Sequence, residues 1–220
     1  LVVFSYSDVT HNYVMDRASR AMAAGASYML LGPDATMIKS KKPVISVCAV
    51  RTGCGKSQTT RKLAGILAKR GKKVGIIRHP MPYGDLNAQK VRRFAEVSDL
   101  EKHDCTIEEM EEYEPHISRG NVIYAGVDYE AILSAAEKDE KGCDVIVWDG
   151  GNNDMPFYKT DLMITVTDPH RAGHELKYYP SEVNLRMADV IIINKMDSAE
   201  KNNIEQLRKN IKIINPEAAV

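Results

Sequence analysis

The segment Val47–Gln58, VCAVRTGCGKSQ, closes with two glycines, a lysine and a hydroxyl residue, the types that grip a phosphate chain. Gly53 and Gly55 let backbone N–H groups approach phosphate oxygens, Lys56 can bridge the terminal oxygens, and Ser57 offers Mg²⁺ a hard oxygen donor. Thr52, Cys54 and Gln58 complete a loop of this kind around a nucleotide. The full pattern G-x-x-x-x-G-K-[S/T] wants glycine where this chain has Val50. Beside it, Arg51 stands five residues ahead of Lys56, the place of a signature lysine in deviant forms of the loop. Arg51 reads either as a phosphate contact, in its own subunit or across a dimer, or as a solvated surface arginine.

Further along, VIVWDGG ends an apolar run on Asp149, which suits a direct or water-mediated hold on Mg²⁺; the other reading is a turn cap. Gly150 and Gly151 would let the backbone pass close to the γ-phosphate. In INKMD, Asn194, Lys195 and Asp197 match the N-K-x-D spacing of GTP-binding proteins, where the carboxylate accepts from guanine N1–H and the exocyclic amine. A polar turn is the alternative, so ATP or GTP stays open. IIRHPMPYGD brings Arg78, His79, Tyr83 and Asp85. TDPHRAGHELKYYP brings Asp168, His170, Arg171, His174 and Lys177. Cations at strand ends suit a small anionic phosphorylated acceptor, with Arg78, His79, Arg171 and His174 as its expected clamp. His103 and His116, in a charged stretch, read as structural.

These residues need a scaffold that presents them on one edge. Strand-length apolar runs alternate with helical periodicity, the pattern of a parallel sheet with crossover helices, whose ligands bind at the C-terminal ends of the strands. LVVFSYS, a helix over His11–Ala24 and SYMLLGP form a βαβ unit. We expect residues 1–40 to be the C-terminal part of a Rossmann-like domain, and residues 41–220 a P-loop nucleotide-binding domain incomplete at its C-terminus. PVISVCAV, KKVGIIRHP, CDVIVWDGG, DLMITVTDP and ADVIIINKMD are its expected strands, and NVIYAGV is a further strand or a turn. GKSQTTRKLAGILAKRG is an amphipathic helix closed by Gly71, and the charged stretch from Asn87 to about His116 favours helix.

The 220 residues suffice for one α/β core plus a fragment of another. Lys+Arg and Asp+Glu both number 30, so bulk charge gives no attraction to nucleic acid or to an anionic membrane. No apolar run approaches the roughly 20 residues of a membrane span. Cys48, Cys54, Cys105 and Cys143 lack C-x-x-C spacing and read as reduced thiols of a cytoplasmic protein. Both ends of the chain read as strands cut short, as in a piece of a longer protein.

The loop resembles that of dethiobiotin-synthetase-like and SIMIBI-class proteins, which relax the first glycine. Along nearly the whole chain, KSKKPVISVCAVRTGCGKSQTTRK, RHPMPYGDL, YEPHISRGNVIYAGVDYEAIL, WDGGNNDMPFYK and DPHRAGHELKYYPSEVNLRMADVIIINKMD resemble the archaeal cyclic 2,3-diphosphoglycerate synthetases and related P-loop GTPases. The resemblance implies a Rossmann-like domain followed by a P-loop domain. It also implies Mg²⁺-dependent closure of 2,3-diphosphoglycerate to a cyclic phosphoanhydride, driven by a nucleoside triphosphate. Lys56, Ser57 and Asp149 would then serve the nucleotide, in a homodimer. A GTPase that acts as a switch, with no small-molecule acceptor, is the competing expectation.

Overall fold

The computed structural model describes residues 1–79, 85–150 and 154–220; Tyr83 and Gly151 lie outside them. The chain opens with β1 (Val2–Phe4), β2 (Val9–Thr10), α1 (His11–Ala23), β3 (Tyr28–Leu30) and α2 (Pro33–Thr36). It continues through β4 (Val44–Ala49), α3 (Lys56–Lys69), β5 (Val74–Arg78), β6 (Arg92–Phe94), α4 (Ser98–Lys102) and α5 (Ile107–Ile117). Then come β7 (Val122–Ala125), α6 (Tyr129–Glu137), β8 (Val145–Asp149) and β9 (Leu162–Thr167). The last part holds two short 3-10 turns, β10 (Tyr178–Tyr179), α7 (Ser181–Met187), β11 (Val190–Ile193) and α8 (Lys201–Ile214).

Seven strands form one sheet in the order β11-β9-β4-β8-β5-β7-β6, parallel throughout except for β6, which runs antiparallel to β7. Alternation along β4 explains why it reads as apolar sequence broken only by Ser46. Val47 and Ala49 join one core with Ala64 of α3 and Tyr113 and Ile117 of α5. Val44 and Cys48 join the other, with Ile132, Leu133 and Ala136 of α6. A strand covered on both faces has no polar side to show. From β4 the chain winds out through β5 and β7, returns to β8, and leaves on the other side through β9 and β11. That reversal puts the end of β4 at a topological switch point, where α/β sheets leave a crevice for ligands.

At the N-terminus β1 and β3 pair in parallel across α1, the expected βαβ unit. It is stitched to the large sheet's surroundings. β2 pairs antiparallel with β10, and Ile38 bridges Tyr158. At the other end Ala219 bridges Val190 in parallel, where the sequence reads as the start of another strand.

The charged stretch 87–116 is not continuous helix. It holds β6 at the sheet edge, then α4 and α5. Helix-favouring residues hide the strand because its Arg92 is an inward-facing charge, buried against Glu109 with NH2 2.5 Å from Oε1. Thr106 caps α5 reciprocally with the same Glu109, a capping box that fixes the helix start. Removing one member of a buried ion pair strands the other. Arg92→Ala is expected to lower stability by about 3–5 kcal/mol in urea unfolding, and replacing both partners together by Met and Leu to recover most of it.

Candidate functional site

β4 runs into the loop at Val50, whose N–H donates to Val166 O at 3.0 Å, extending the pairing with β9. The side chain packs in the core, 3% exposed. The residue standing for the missing glycine is therefore a sheet residue, and the phosphate loop proper starts after it. Gly53 and Gly55 both have positive φ, 81° and 105°. A Cβ on Gly55 would also lie 2.1 Å from Asn194 Nδ2, so neither backbone nor space admits another residue. Gly55 caps α3 without a side-chain partner for the first turn, which leaves the helix N–H groups and the positive end of its dipole facing the loop.

Two segments brace this loop from behind. Asn194 Nδ2 donates to Cys54 O at 2.8 Å, and Lys195 Nζ donates to Gly53 O at 2.8 Å and to Asp168 at 2.9 Å. Arg171 NH2 reaches Asp168 at 3.2 Å and Cys54 Sγ at 3.5 Å. Burial opposes charge on Asp168, but Lys195, the His170 N–H and Arg171 outweigh it and lower its pKa. Two of the three residues of the guanine motif thus hold the loop, whatever the base. Asp197 is exposed beside them. Thr52 and Gln58 are exposed as well, and Ser57 is half-buried at the start of α3.

The centre of the site is Asp149, fully buried at the end of β8. One carboxylate oxygen accepts from Lys56 Nζ at 2.7 Å, the other from Arg78 NH1 at 2.5 Å. Arg78 is the register partner of Asp149 on β5, and its NH2 donates to Glu112 of α5 at 2.5 Å. Burial pushes the Asp149 carboxyl up, yet the Arg78 and Lys56 charges win and hold it at about 2. A carboxylate ionised at all working pH values and a serine hydroxyl are hard oxygen donors, so Asp149 and Ser57 fit Mg²⁺.

Arg51 is neither solvated nor alone. Its NH1 lies 3.1 Å from Asp8 Oδ1, and the guanidinium sits 3.7 Å over the Tyr178 ring. Thr52 donates to the same Asp8 at 3.2 Å. The His174 ring is 5.0 Å from that of Tyr178. The four expected clamp residues therefore divide. Arg171 and His174 lie on the P-loop flank with Arg51, while Arg78 is locked to Asp149 and Glu112. His79 faces another way, 3.5 Å from Asp154 and among aromatic rings.

Asp8, Asp154 and Glu112 carry no weight in the sequence reading. Asp154 follows a strand end closely enough for the strand-edge rule to have found it. Glu112 sits in a glutamate-rich run, and only the helical spacing of Glu109, Glu112 and His116 singles it out. His116 itself is fully buried, and neither ring nitrogen has a hydrogen-bond partner among the described residues.

This parallel sheet, with a glycine loop, lysine and aspartate at its switch point, is the P-loop NTPase fold. LpxK from Aquifex aeolicus, solved in complex with ATP, superposes with a TM-score of 0.57 at 16% identity, covering 84% of this chain and 56% of LpxK. The hydrogenase maturation factor HypB from Archaeoglobus fulgidus gives 0.50 at 14% identity, covering 94% and 86%. Within that class, residues 119–220 match the model of the cyclic 2,3-diphosphoglycerate synthetase P-loop domain. An arginine synthetase, ArcE, from Thermococcus kodakarensis is 63% identical over 220 residues, all of this chain and 48% of its own length. A cyclic 2,3-diphosphoglycerate synthetase from Thermococcus sibiricus is 32% identical over 88 residues, 40% of this chain and 20% of its own. The chain thus spans about half the length of the first relative. Among the described residues no helix is long and apolar enough to cross a membrane.

Burial, helped by Arg78, Arg61 and Arg119 and opposed by Asp149, lowers His116 from 6.5 to about 4. The unfolded chain takes up this proton first as pH falls, so the fold loses stability between 6.5 and 4, by up to about 1.4 kcal/mol per pH unit. His116→Leu is expected to flatten that slope when urea unfolding is compared at neutral pH and at about pH 5.

Proposed function

We propose that this chain is the nucleotide-binding core of a Mg²⁺-dependent synthetase that transfers the γ-phosphoryl group of a nucleoside triphosphate to a small acceptor. The observation that carries the reading is the Lys56–Asp149–Arg78 array at the strand ends, beside a helix N-terminus prepared for phosphate. The N–H groups of Gly53 to Ser57 would cradle the β- and γ-phosphates, and Lys56 would swing from Asp149 to the γ oxygens. Ser57 and Asp149 would hold Mg²⁺, which neutralises the charge developing on those oxygens. Arg78, tied by Glu112, keeps Asp149 ionised and aimed.

The acceptor chemistry follows from the relatives. Identity of 63% along the entire chain to a protein named arginine synthetase supports arginine formation. In such a reaction an oxygen on the precursor's electrophilic carbon takes the γ-phosphoryl group. Nitrogen then adds to that carbon, phosphate leaves with the C–O electrons, and the nitrogen gives up its proton. The family match supports a second reading, closure of 2,3-diphosphoglycerate. There one substrate phosphate takes the γ-phosphoryl group, the other attacks the phosphorus of that activated substrate phosphate, and the transferred group leaves as inorganic phosphate. Both use the same donor machinery and differ only in what lies beyond Arg78.

The test uses the intact full-length protein. Run backwards with arginine, phosphate and ADP or GDP, it is expected to form triphosphate, followed by phosphorus NMR. A cyclic product from 2,3-diphosphoglycerate and ATP or GTP would instead establish the second reading. Acceptor-independent GTP hydrolysis with no new phosphorus species would sink both and leave a GTPase. Lys56→Ala and Asp149→Asn are each expected to lower kcat by about a hundredfold or more. With Asn194 and Lys195 bracing the loop, Asp197 is the residue left to read the base. Asp197→Asn is expected to weaken GTP binding about tenfold or more relative to ATP in nucleotide titrations. Equal affinities before and after would place base recognition elsewhere.

A further inference from the structure

Between the N-terminal βαβ unit and the ends of β5 and β8 lies a cavity of about 290 Å³. That is the small end of ligand pockets, too tight for a nucleoside triphosphate and large enough for a single amino acid. Its lining falls into two groups. Phe4, Tyr6 and Tyr179 cluster on one, the Tyr6 ring centroid 6.4 Å and the Tyr179 ring centroid 6.0 Å from Phe4. His79, Asp154 and Phe157 make the other, the His79 ring 5.8 Å from Phe157 and 3.5 Å from the Asp154 carboxylate.

The cavity begins one residue beyond Arg78, whose guanidinium holds Asp149. Its His79 wall thus follows the strand that pairs with β8, where Arg78 is the register partner of Asp149. Asp154 is fixed there, because its carbonyl oxygen accepts from Asn184 Nδ2 at 3.2 Å. Charge decides what fits. None of the described lining residues is Lys or Arg, and Asp154 is the one carboxylate among them. A bisphosphate would enter with several negative charges, meet a carboxylate and find no lysine or arginine among the described lining residues. A planar, nitrogen-rich group would instead stack on the aromatic faces and give its N–H groups to the carboxylate.

We propose that this cavity is the acceptor pocket. It takes a small amino acid whose planar guanidinium or ureido group stacks between Tyr6 and Phe157 and hydrogen-bonds to Asp154. The assignment rests on the arginine-forming reading above, and it adds the N-terminal unit to the site as one of its walls.

The experiment is calorimetric titration of arginine into the intact protein, its Asp154→Asn variant and its Tyr6→Ala variant, with nucleotide binding measured in parallel. Arginine is expected to bind the unaltered protein, and both variants to raise its Kd by roughly tenfold or more while nucleotide affinity holds. 2,3-Diphosphoglycerate is expected not to displace arginine. Absence of arginine binding, unchanged affinity in both variants, or displacement by 2,3-diphosphoglycerate would overturn the proposal. Should Asp154→Asn lose nucleotide binding with its fold, Tyr6→Ala decides, since Tyr6 is 70% exposed. Arginine binding that both variants weaken, without arginine-dependent triphosphate formation, supports the pocket and removes the catalytic reading. Turnover with an unchanged KM for arginine in both variants does the reverse.

Discussion

One carboxylate organises this protein. Asp149 gives up all contact with water at the end of β8, which is tolerable only because a lysine and an arginine neutralise it from two directions. Each of those cations comes from a different element, Lys56 from the first turn of α3 and Arg78 from the end of β5. The ion pairs therefore fix the phosphate loop, β8 and its neighbour β5 in one arrangement. Glu112 extends the chain of charges to α5, so a helix far along the sequence also answers to this site. In the proposed role, a phosphate chain entering the loop would compete with Asp149 for Lys56.

Most of the sheet is legible in the sequence because its strands are buried on both faces and write themselves as apolar runs. What escapes is the edge. β6 is short, antiparallel and centred on an arginine, and its partner Glu109 lies in a helix that begins 13 residues after the strand ends, beyond any local pattern. The same physics hides part of the site. The phosphate loop, Asp149 and N-K-x-D announce themselves by spacing, since they are local to single turns. Glu112, Asp8 and Asp154 act across elements, and residue type alone gives them no mark.

The structure also separates what the sequence groups together. Arg78, His79, Arg171 and His174 share a compositional signature, cations at strand ends, but β5 and β9 stand on opposite sides of β4. Two flanks result. One, with Arg51, Arg171 and Lys195, is cationic and borders the loop backbone. The other, beyond Arg78, is aromatic and carries a carboxylate. On the proposed reading, donor and acceptor would be handled on different flanks.

The pairing of β2 with β10 bears on how this protein can be taken apart. A cut near residue 40, where composition changes and a domain boundary is expected, would remove Asp8 from Arg51 and Thr52 and the Phe4 and Tyr6 rings from the cavity. The residues left behind would still contain every phosphate-loop group. Yet a fragment starting there would display Arg51 and the Tyr178 face as new surface and would lack the Phe4 and Tyr6 wall of the cavity proposed for the acceptor.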